Sequence, residues 1–454
     1  MTGFEKRTVL SLAALYSMRM LGLFMVLPVF VIFGKELEGA TELLMGLAIG
    51  AYGLSQSLLQ IPFGMMSDRV GRKRMLIIGL IIFAAGSVVA AISTSIYGVI
   101  VGRFLQGAGA IASVLMALLS DLTLEESRTK AMAVIGMSIG LSFSVALVLG
   151  PVVAAYSGLS GIFALTAVFA VAGIALVIWV IPTPVKSKKH RDTLPVLADI
   201  KQTIGHSQLR RLNFGIFVLH MVLTAVFVAL PLAMIERAGI EKGEHWWIYL
   251  SVMVVAFFSM VPFIIVGEKK RKMKQVFVGA IALLIAGLLM LTFFGESLGQ
   301  IWFGLFVFFM AFNLLEATLP SLVSKLSPAG AKGTAMGVYS TCQFFGAFCG
   351  GAIGGWMLGA LGIQAVFIAG AVFVFFWLAY AITMDSPSYA TSFMLKLSLR
   401  PDAQQAELIS GELASIDGVE DVVIVIEEQA AYLKVDSKRL DENALRSYRF
   451  ALNA

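Results

Sequence analysis

Charge is scarce in this chain. Of 454 residues only 14% are Asp, Glu, Lys or Arg, against about 25% in a typical soluble domain, which argues against an ordinary soluble enzyme or binding module. Cysteine is nearly absent: Cys342 and Cys349 are the only two, both inside an apolar run. That excludes a disulfide framework and a zinc cluster, so neither a metal nor a cofactor is expected. No glycine-rich loop carries a phosphate-binding Lys and no nucleophile is paired with a base, so an enzyme is not expected either. The formal net charge of +6 is not a nucleic-acid signature, because the cations are spread over short connections rather than gathered into one patch.

What fills the chain instead is long apolar runs, at about 8–33, 43–66, 75–93, 95–120, 131–156, 160–181, 212–235, 246–267, 276–295, 299–323, 333–358 and 362–384. Each is close to the ~20 residues a bilayer-spanning helix needs. The first follows Lys6 and Arg7, is too long for a signal h-region and lacks a small-residue cleavage site, so a retained helix is expected. Connections on one side hold Lys6, Arg7, Arg69, Arg72, Lys73, Arg74, Arg128, Lys130, seven cations from Lys186 to Arg211, five from Lys269 to Lys274, Lys325 and Lys332. The other side holds Lys35, Arg237 and Lys242. By the positive-inside bias both termini are cytoplasmic. The expected organisation is all-α in the membrane: a six-helix half over 1–181, a central cytoplasmic loop at 182–211 with a short amphipathic helix near Leu194–Ile204, and a second half over 212–384. A linker at 385–391 leads to a soluble domain at 392–454.

The halves repeat one another. Pro62-Phe63 before Asp68-Arg69 lines up with Pro262-Phe263 before Glu268-Lys269, and Ser120 with Ala131-Met132 matches Ser324 with Ala335-Met336. Parallel repeats of this kind place a substrate site between the halves near mid-membrane. The second copy carries Ile264 and Arg271 where the first has Gly64 and Gly71, so the two sides are expected to work asymmetrically.

The loop Gly64-Met65-Met66-Ser67-Asp68-Arg69-Val70-Gly71-Arg72-Lys73-Arg74 joins the second and third spans through one acid, four cations and a glycine free to take positive φ. With its spacing of Gly64, Asp68, Arg69, Gly71 and Arg72 it resembles the signature loop of the major facilitator superfamily. That resemblance implies a conformational switch in which Asp68 meets the start of the eleventh helix, with Ser327-Pro328 reading as its cap. The contact would form only with the cytoplasmic side closed. Arg69 and Arg72 are expected to pair with Asp121, Glu125 or Glu126 beside Arg128, and protonation of an acid there would loosen the latch. Gly102-Arg103-Phe104-Leu105-Gln106-Gly107 is similar to the fourth-helix motif of proton-coupled exporters. This implies that Arg103 tunes a nearby proton site; bracing of the first span's carbonyls is the structural alternative. Gly140 and Gly150-Pro151 resemble the antiporter motif of the fifth helix, a helix-packing element, although Ala146, Ala154 and Ala155 replace glycines usual there. Leu21-Gly22 with Pro28-Val29 resembles the family's first-helix motif, with Val31 replacing a second proline.

Polar residues inside the spans are few and therefore informative. Arg19, Tyr52, Gln56, Gln60, Asn313 and Gln343 are candidates to line a cavity. Glu316, the one acid well inside a span, and His220 are candidates to carry a proton. Residues 392–454 carry seven Lys/Arg and eleven Asp/Glu and read strand–helix–strand–strand–helix, resembling a small α+β ferredoxin-like domain without the Cys pair of metal carriers. Its acidity suits docking on the basic cytoplasmic face; free tethering is the alternative. The whole chain is similar to drug/proton antiporter-like exporters of a bacterial inner membrane, multi-pass, moving a small molecule against protons. Proton symport of a sugar or organic acid, and a transporter-derived sensor, are the alternatives. Substrate, protons and the lipid bilayer are the expected partners, and no nucleic acid is expected.

Overall fold

The computed structural model describes residues 1–183, 197–328, 331–386 and 391–436, together with 439–441, 445, 448 and 450. The helices in order are α1 (Gly3–Phe24), α2 (Phe30–Phe33), α3 (Glu42–Val70), α4 (Arg72–Ile92), α5 (Ile96–Ala108), α6 (Ala112–Leu122), α7 (Glu125–Trp179), α8 (Leu197–Gly205), α9 (Ser207–Glu236), α10 (His245–Lys269), α11 (Met273–Phe293), α12 (Leu298–Leu326), α13 (Lys332–Leu361) and α14 (Ile363–Ile382). Among the described residues ten stretches are long and apolar enough to cross a bilayer. One of these, Lys130–Trp179, contains 50 residues, over twice what a crossing needs. It is divided at Gly158, whose φ of 61° and ψ of −162° are non-helical, so it makes two crossings. Adding α1, which a turn containing Pro28 separates from α2, brings the total to twelve.

Local chemistry sets many of the ends. Thr41, Ser95 and Ser297 each accept the backbone N–H three residues on, opening α3, α5 and α12, the N-cap arrangement that satisfies an otherwise orphaned donor. Gly71, at φ 99°, turns the chain between α3 and α4 with a backbone that L side chains disfavour. Large apolar side chains such as Ile81, Val88, Phe257, Phe258, Phe375 and Phe376 stand exposed, a surface that suits hydrocarbon and not water. The fourth apolar run is not one helix: it breaks at Gly109 between α5 and α6. The expected amphipathic segment appears as α8, while 184–196 lies outside the described residues.

The halves meet where α3 crosses α13. A Cβ on Gly46 would sit 2.1 Å from the Gly351 carbonyl oxygen, one on Gly50 2.8 Å from that of Phe348, and one on Gly355 2.5 Å from that of Glu42. These contacts lie toward Glu42 and Leu361, the ends opposite the basic loops, so the periplasmic side is sealed by backbone packed on backbone. Deeper in, Phe143 of α7 packs against Phe24 (centroids 4.9 Å apart) and across the halves against Phe309 and Phe312 of α12 (6.3 and 5.9 Å).

The soluble domain places β1 (Thr391–Lys396), α15 (Ala403–Ala414), β2 (Val419–Val425) and β3 (Ala430–Val435) in a sheet of order β1-β3-β2. β3 runs antiparallel to both neighbours, so β1 and β2 are parallel and joined through α15. This is the split βαβ expected of a ferredoxin-like unit. Ile409 and Leu413 of α15 are buried against it, whereas Leu408 is exposed. The expected second helix, 440–450, lies largely outside the described residues.

Candidate transport site

The signature loop folds as a compact charged cluster within the N-terminal half. Arg72, 3% exposed, reaches Asp68 at 2.5 Å and Asp121 at 3.1 Å and also donates to the Ser67 hydroxyl. It thereby ties the end of α3, the start of α4 and the end of α6 together, and the expected Arg72–Asp121 pair is present. Arg69 makes no ion pair among the described residues, and the side chains of Glu125, Glu126 and Arg128 lie outside them. Gly64 is there for closeness: a Cβ would sit 3.0 Å from the Ser113 hydroxyl.

One expectation is corrected here. Ser327 closes α12, donating its hydroxyl to the Val323 carbonyl, and α13 begins at Lys332 after Ala331. A Ser-Pro pair suits the end of one helix as well as the start of another, because proline disfavours helix at the residue before it. In this periplasmically sealed structure Asp68 pairs with Arg72 of its own half.

The second half holds the pseudo-equivalent cluster with the sign of its helix charge reversed. Glu268 pairs with Lys325 at 2.7 Å and accepts from Ser321. Lys325 stands where the repeat has Asp121, so here the cation sits on the helix rather than in the loop.

Arg103 is a brace in this structure. It donates to the carbonyls of Ala48 and Ile49 at 3.4 Å and to Gln106 at 3.0 Å, while Gln106 donates on to Ser87. The carbonyls belong to α3, the second span, and not to the first. Gly107 lets α5 pack closely on α3, since a Cβ there would meet the Tyr52 carbonyl oxygen at 2.1 Å. Gly150 packs likewise against the Met25 carbonyl, beside Pro151 within α7, but Gly140 faces open space. Of the two motif glycines only Gly150 is therefore a packing glycine.

Three helices of the second half bring Glu316 (α12), His220 (α9) and Gln343 (α13) together. The Gln343 amide nitrogen lies 3.2 Å from Glu316 Oε1 and 2.9 Å from His220 Nε2, and His220 Nε2 is 3.8 Å from Glu316 Oε2. One amide can donate to both partners while His220 Nε2 is bare, and a proton on that nitrogen breaks the arrangement. The Glu316 side chain remains 35% exposed, although it lies beneath the periplasmic seal. Asn313 sits three residues from Glu316 on α12 and is partly exposed. In the first half Arg19 donates to Gln56 at 2.6 Å and Gln56 to Gln60 at 3.1 Å, with the Tyr52 ring between Arg19 and Arg103.

Three features escaped the sequence reading. Glu5 accepts the Thr2 N–H at 2.7 Å and the Leu124 N–H at 2.8 Å, capping its own helix and the chain entering α7. These two backbone donors hold its carboxyl below the ordinary carboxylate range. The Thr-x-x-Glu spacing from Thr2 was the available signal. Gly46-x-x-x-Gly50 likewise announces close helix contact. Third, the particular contacts of the soluble domain, for which docking on the basic face and free tethering were the two readings, were not foreseen: Lys434 of β3 donates to the Ser324 and Lys325 carbonyls at 3.1 and 2.5 Å, and Arg271 pairs with Asp436 at 2.9 Å. No local pattern announces these, since a lone Lys in a strand has many uses.

The chain belongs to the major facilitator superfamily, whose family model matches residues 12–351. It is a multi-pass inner-membrane transport protein by class and not an enzyme. Residues 395–445 match the YajR YAM domain. The chain is 49% identical over 438 residues, 96% of each chain, to the inner membrane transport protein YajR of Escherichia coli K12. It is 26% identical over 354 residues to the multidrug resistance protein 2 of Bacillus subtilis 168, covering 74% of this chain and 84% of that one. A bacterial homologue of the human lysosomal transporter Spinster, solved inward-facing and occupied, superposes with a TM-score of 0.68 at 14% identity, covering 84% of this chain and 97% of that one.

Proposed function

We propose that this protein is a proton-driven exporter of small amphiphilic compounds that works by alternating access. The observation that carries the reading is the Glu316–His220–Gln343 cluster. It contains the one acid set well inside a span, with two partners whose hydrogen bonding changes when a proton arrives. The relationship to multidrug resistance proteins supports export of such compounds. In this cycle Asp68 exchanges Arg72 for the start of α13 when the cytoplasmic side closes, and the glycine seal between α3 and α13 opens in turn. The soluble domain docks on the cytoplasmic face of the second half through Lys434 and Asp436, and these contacts also suit a sensing role for that domain.

The test is proton movement in proteoliposomes carrying the full chain. Substrate-dependent proton exit that survives in Asp68→Asn at reduced rate and is lost in Glu316→Gln is the expected result. Proton and substrate moving together would establish symport and overturn export. Unchanged proton flux in Glu316→Gln would remove that residue from the coupling.

A further inference from the structure

The apolar runs of the first half contain two arginines, Arg19 and Arg103, and no acid. Both are deeply buried, 2% and 1% exposed, so two guanidinium charges lie in a low-dielectric region without a counter-charge in their own spans. Their surroundings differ. Arg103 spends its N–H groups on two carbonyls and Gln106. Arg19 donates from Nη2 to Gln56, whereas its Nε and Nη1 are buried and have no partner among the described residues. The Tyr52 hydroxyl is also buried and makes no full hydrogen bond among the described residues; Tyr52 interacts with Arg19 itself, its ring 5.9 Å from the guanidinium carbon. A buried cation with unmet donors is strongly disfavoured unless an anion comes to it.

The position suits a ligand. Tyr52 packs on Phe344 of α13 with ring centroids 6.2 Å apart, which sets the cluster at the interface between the halves, where alternating access would expose it. On α1, Phe24 lies five residues beyond Arg19 and leads into the aromatic set of Phe143, Phe309 and Phe312. Gln60 holds Gln56 so that the Gln56 carbonyl oxygen faces Arg19, leaving the arginine's other nitrogens to donate elsewhere.

We infer that Arg19 and Tyr52 form the head-group subsite for an organic anion, a carboxylate carried on an apolar body that lies along the aromatic set. Arg19 supplies the charge and two donor nitrogens, and the Tyr52 hydroxyl supplies a further donor. This deepens the export reading and rests on it for transport, though not for binding. Export of a monoanion against an entering proton moves charge in the same electrical sense twice, so transport becomes strongly dependent on membrane potential; a monocation exchanged for one proton would move no net charge.

The test uses the purified full chain with benzoate, 2-naphthoate and octanoate, benzamide as the neutral isostere, and tetraphenylphosphonium as an apolar cation. The carboxylates are expected to raise the thermal midpoint and benzamide is not. Arg19→Gln should weaken carboxylate binding at least tenfold while its own midpoint without ligand equals or exceeds that of the wild type, since an unpaired buried charge has been removed. Arg19→Lys should bind with intermediate affinity. Failure of all three carboxylates to bind, equal protection by benzamide or tetraphenylphosphonium, or unchanged binding in Arg19→Gln overturns the inference. Tetraphenylphosphonium carried against protons without carboxylate binding would overturn this inference and leave proton-driven export standing. Carboxylate binding and flux without proton movement would do the reverse.

Discussion

Replacing Gly46 by Ala should tilt the protein away from its periplasmically sealed state. The added Cβ would sit 2.1 Å from the Gly351 carbonyl oxygen and 2.9 Å from the Gly355 Cα, against an ordinary C···O contact of about 3.3–3.6 Å. Neither neighbour is a flexible side chain, so α3 and α13 must part by roughly 1 Å. In an outward-open state this contact is already broken and the methyl costs nothing there. Overpacking of this kind costs about 1–3 kcal/mol, and that difference shifts a two-state equilibrium roughly 5- to 150-fold. Spin labels at the exposed rim positions Glu36 and Gln364, in a background with Cys342 and Cys349 replaced, read the periplasmic gap by pulsed electron resonance. The long-distance population should rise in Gly46→Ala, and again in Gly351→Ala, whose Cβ would meet the Gly46 carbonyl oxygen at 2.3 Å. Gly136→Ala is the control, because its Cβ meets nothing within 4 Å. If Gly46→Ala left the distances unchanged, or Gly136→Ala moved them equally, the backbone seal would not be what holds this side shut.

Two further outcomes follow from the charged clusters. Asp121→Asn removes one of the two carboxylates held by the buried Arg72, with side-chain exposures of 2% and 1% across the lost pair, while Asp68 still holds the guanidinium, and should cost about 1.5–3 kcal/mol. Glu268→Gln, at the half-exposed counterpart, should cost under about 1 kcal/mol; equal losses of thermal midpoint would refute this ranking. Lys434→Met removes charge-assisted bonds to the end of α12, each worth about 1.5–3 kcal/mol. It should therefore speed hydrogen exchange in β3 and around Ser324 at least tenfold, and unchanged protection would show that the domain is held by other means.

Much of this architecture was legible in the sequence because the bilayer constrains it so narrowly. Apolar length gave the crossings, and cations gave their orientation. The pairing of Arg72 with Asp121 was among the alternatives that accompanied the signature-loop resemblance, with Glu125 and Glu126 as the others. What was not legible depends on convergence in space. His220, Glu316 and Gln343 were each visible as polar intruders, but nothing along the chain says that α9, α12 and α13 bring them within one hydrogen bond of each other. The break at Gly109 was hidden inside a continuous apolar run, because hydropathy does not report backbone direction. Ser327-Pro328 misled for a related reason, since proline marks boundaries without saying on which side the helix lies.

Lys434 and Asp436 both touch the second half, one at the end of α12 and the other in the loop after α10, contacts that would fasten the soluble domain to it. A body bolted to one arm of a hinge turns with that arm, and its outer edge travels farther than any helix that carries it. Small tilts within the bilayer would thus become displacements of several ångströms in the cytosol. A soluble partner gripping that edge would be pulled or released once per cycle, without ever touching the membrane.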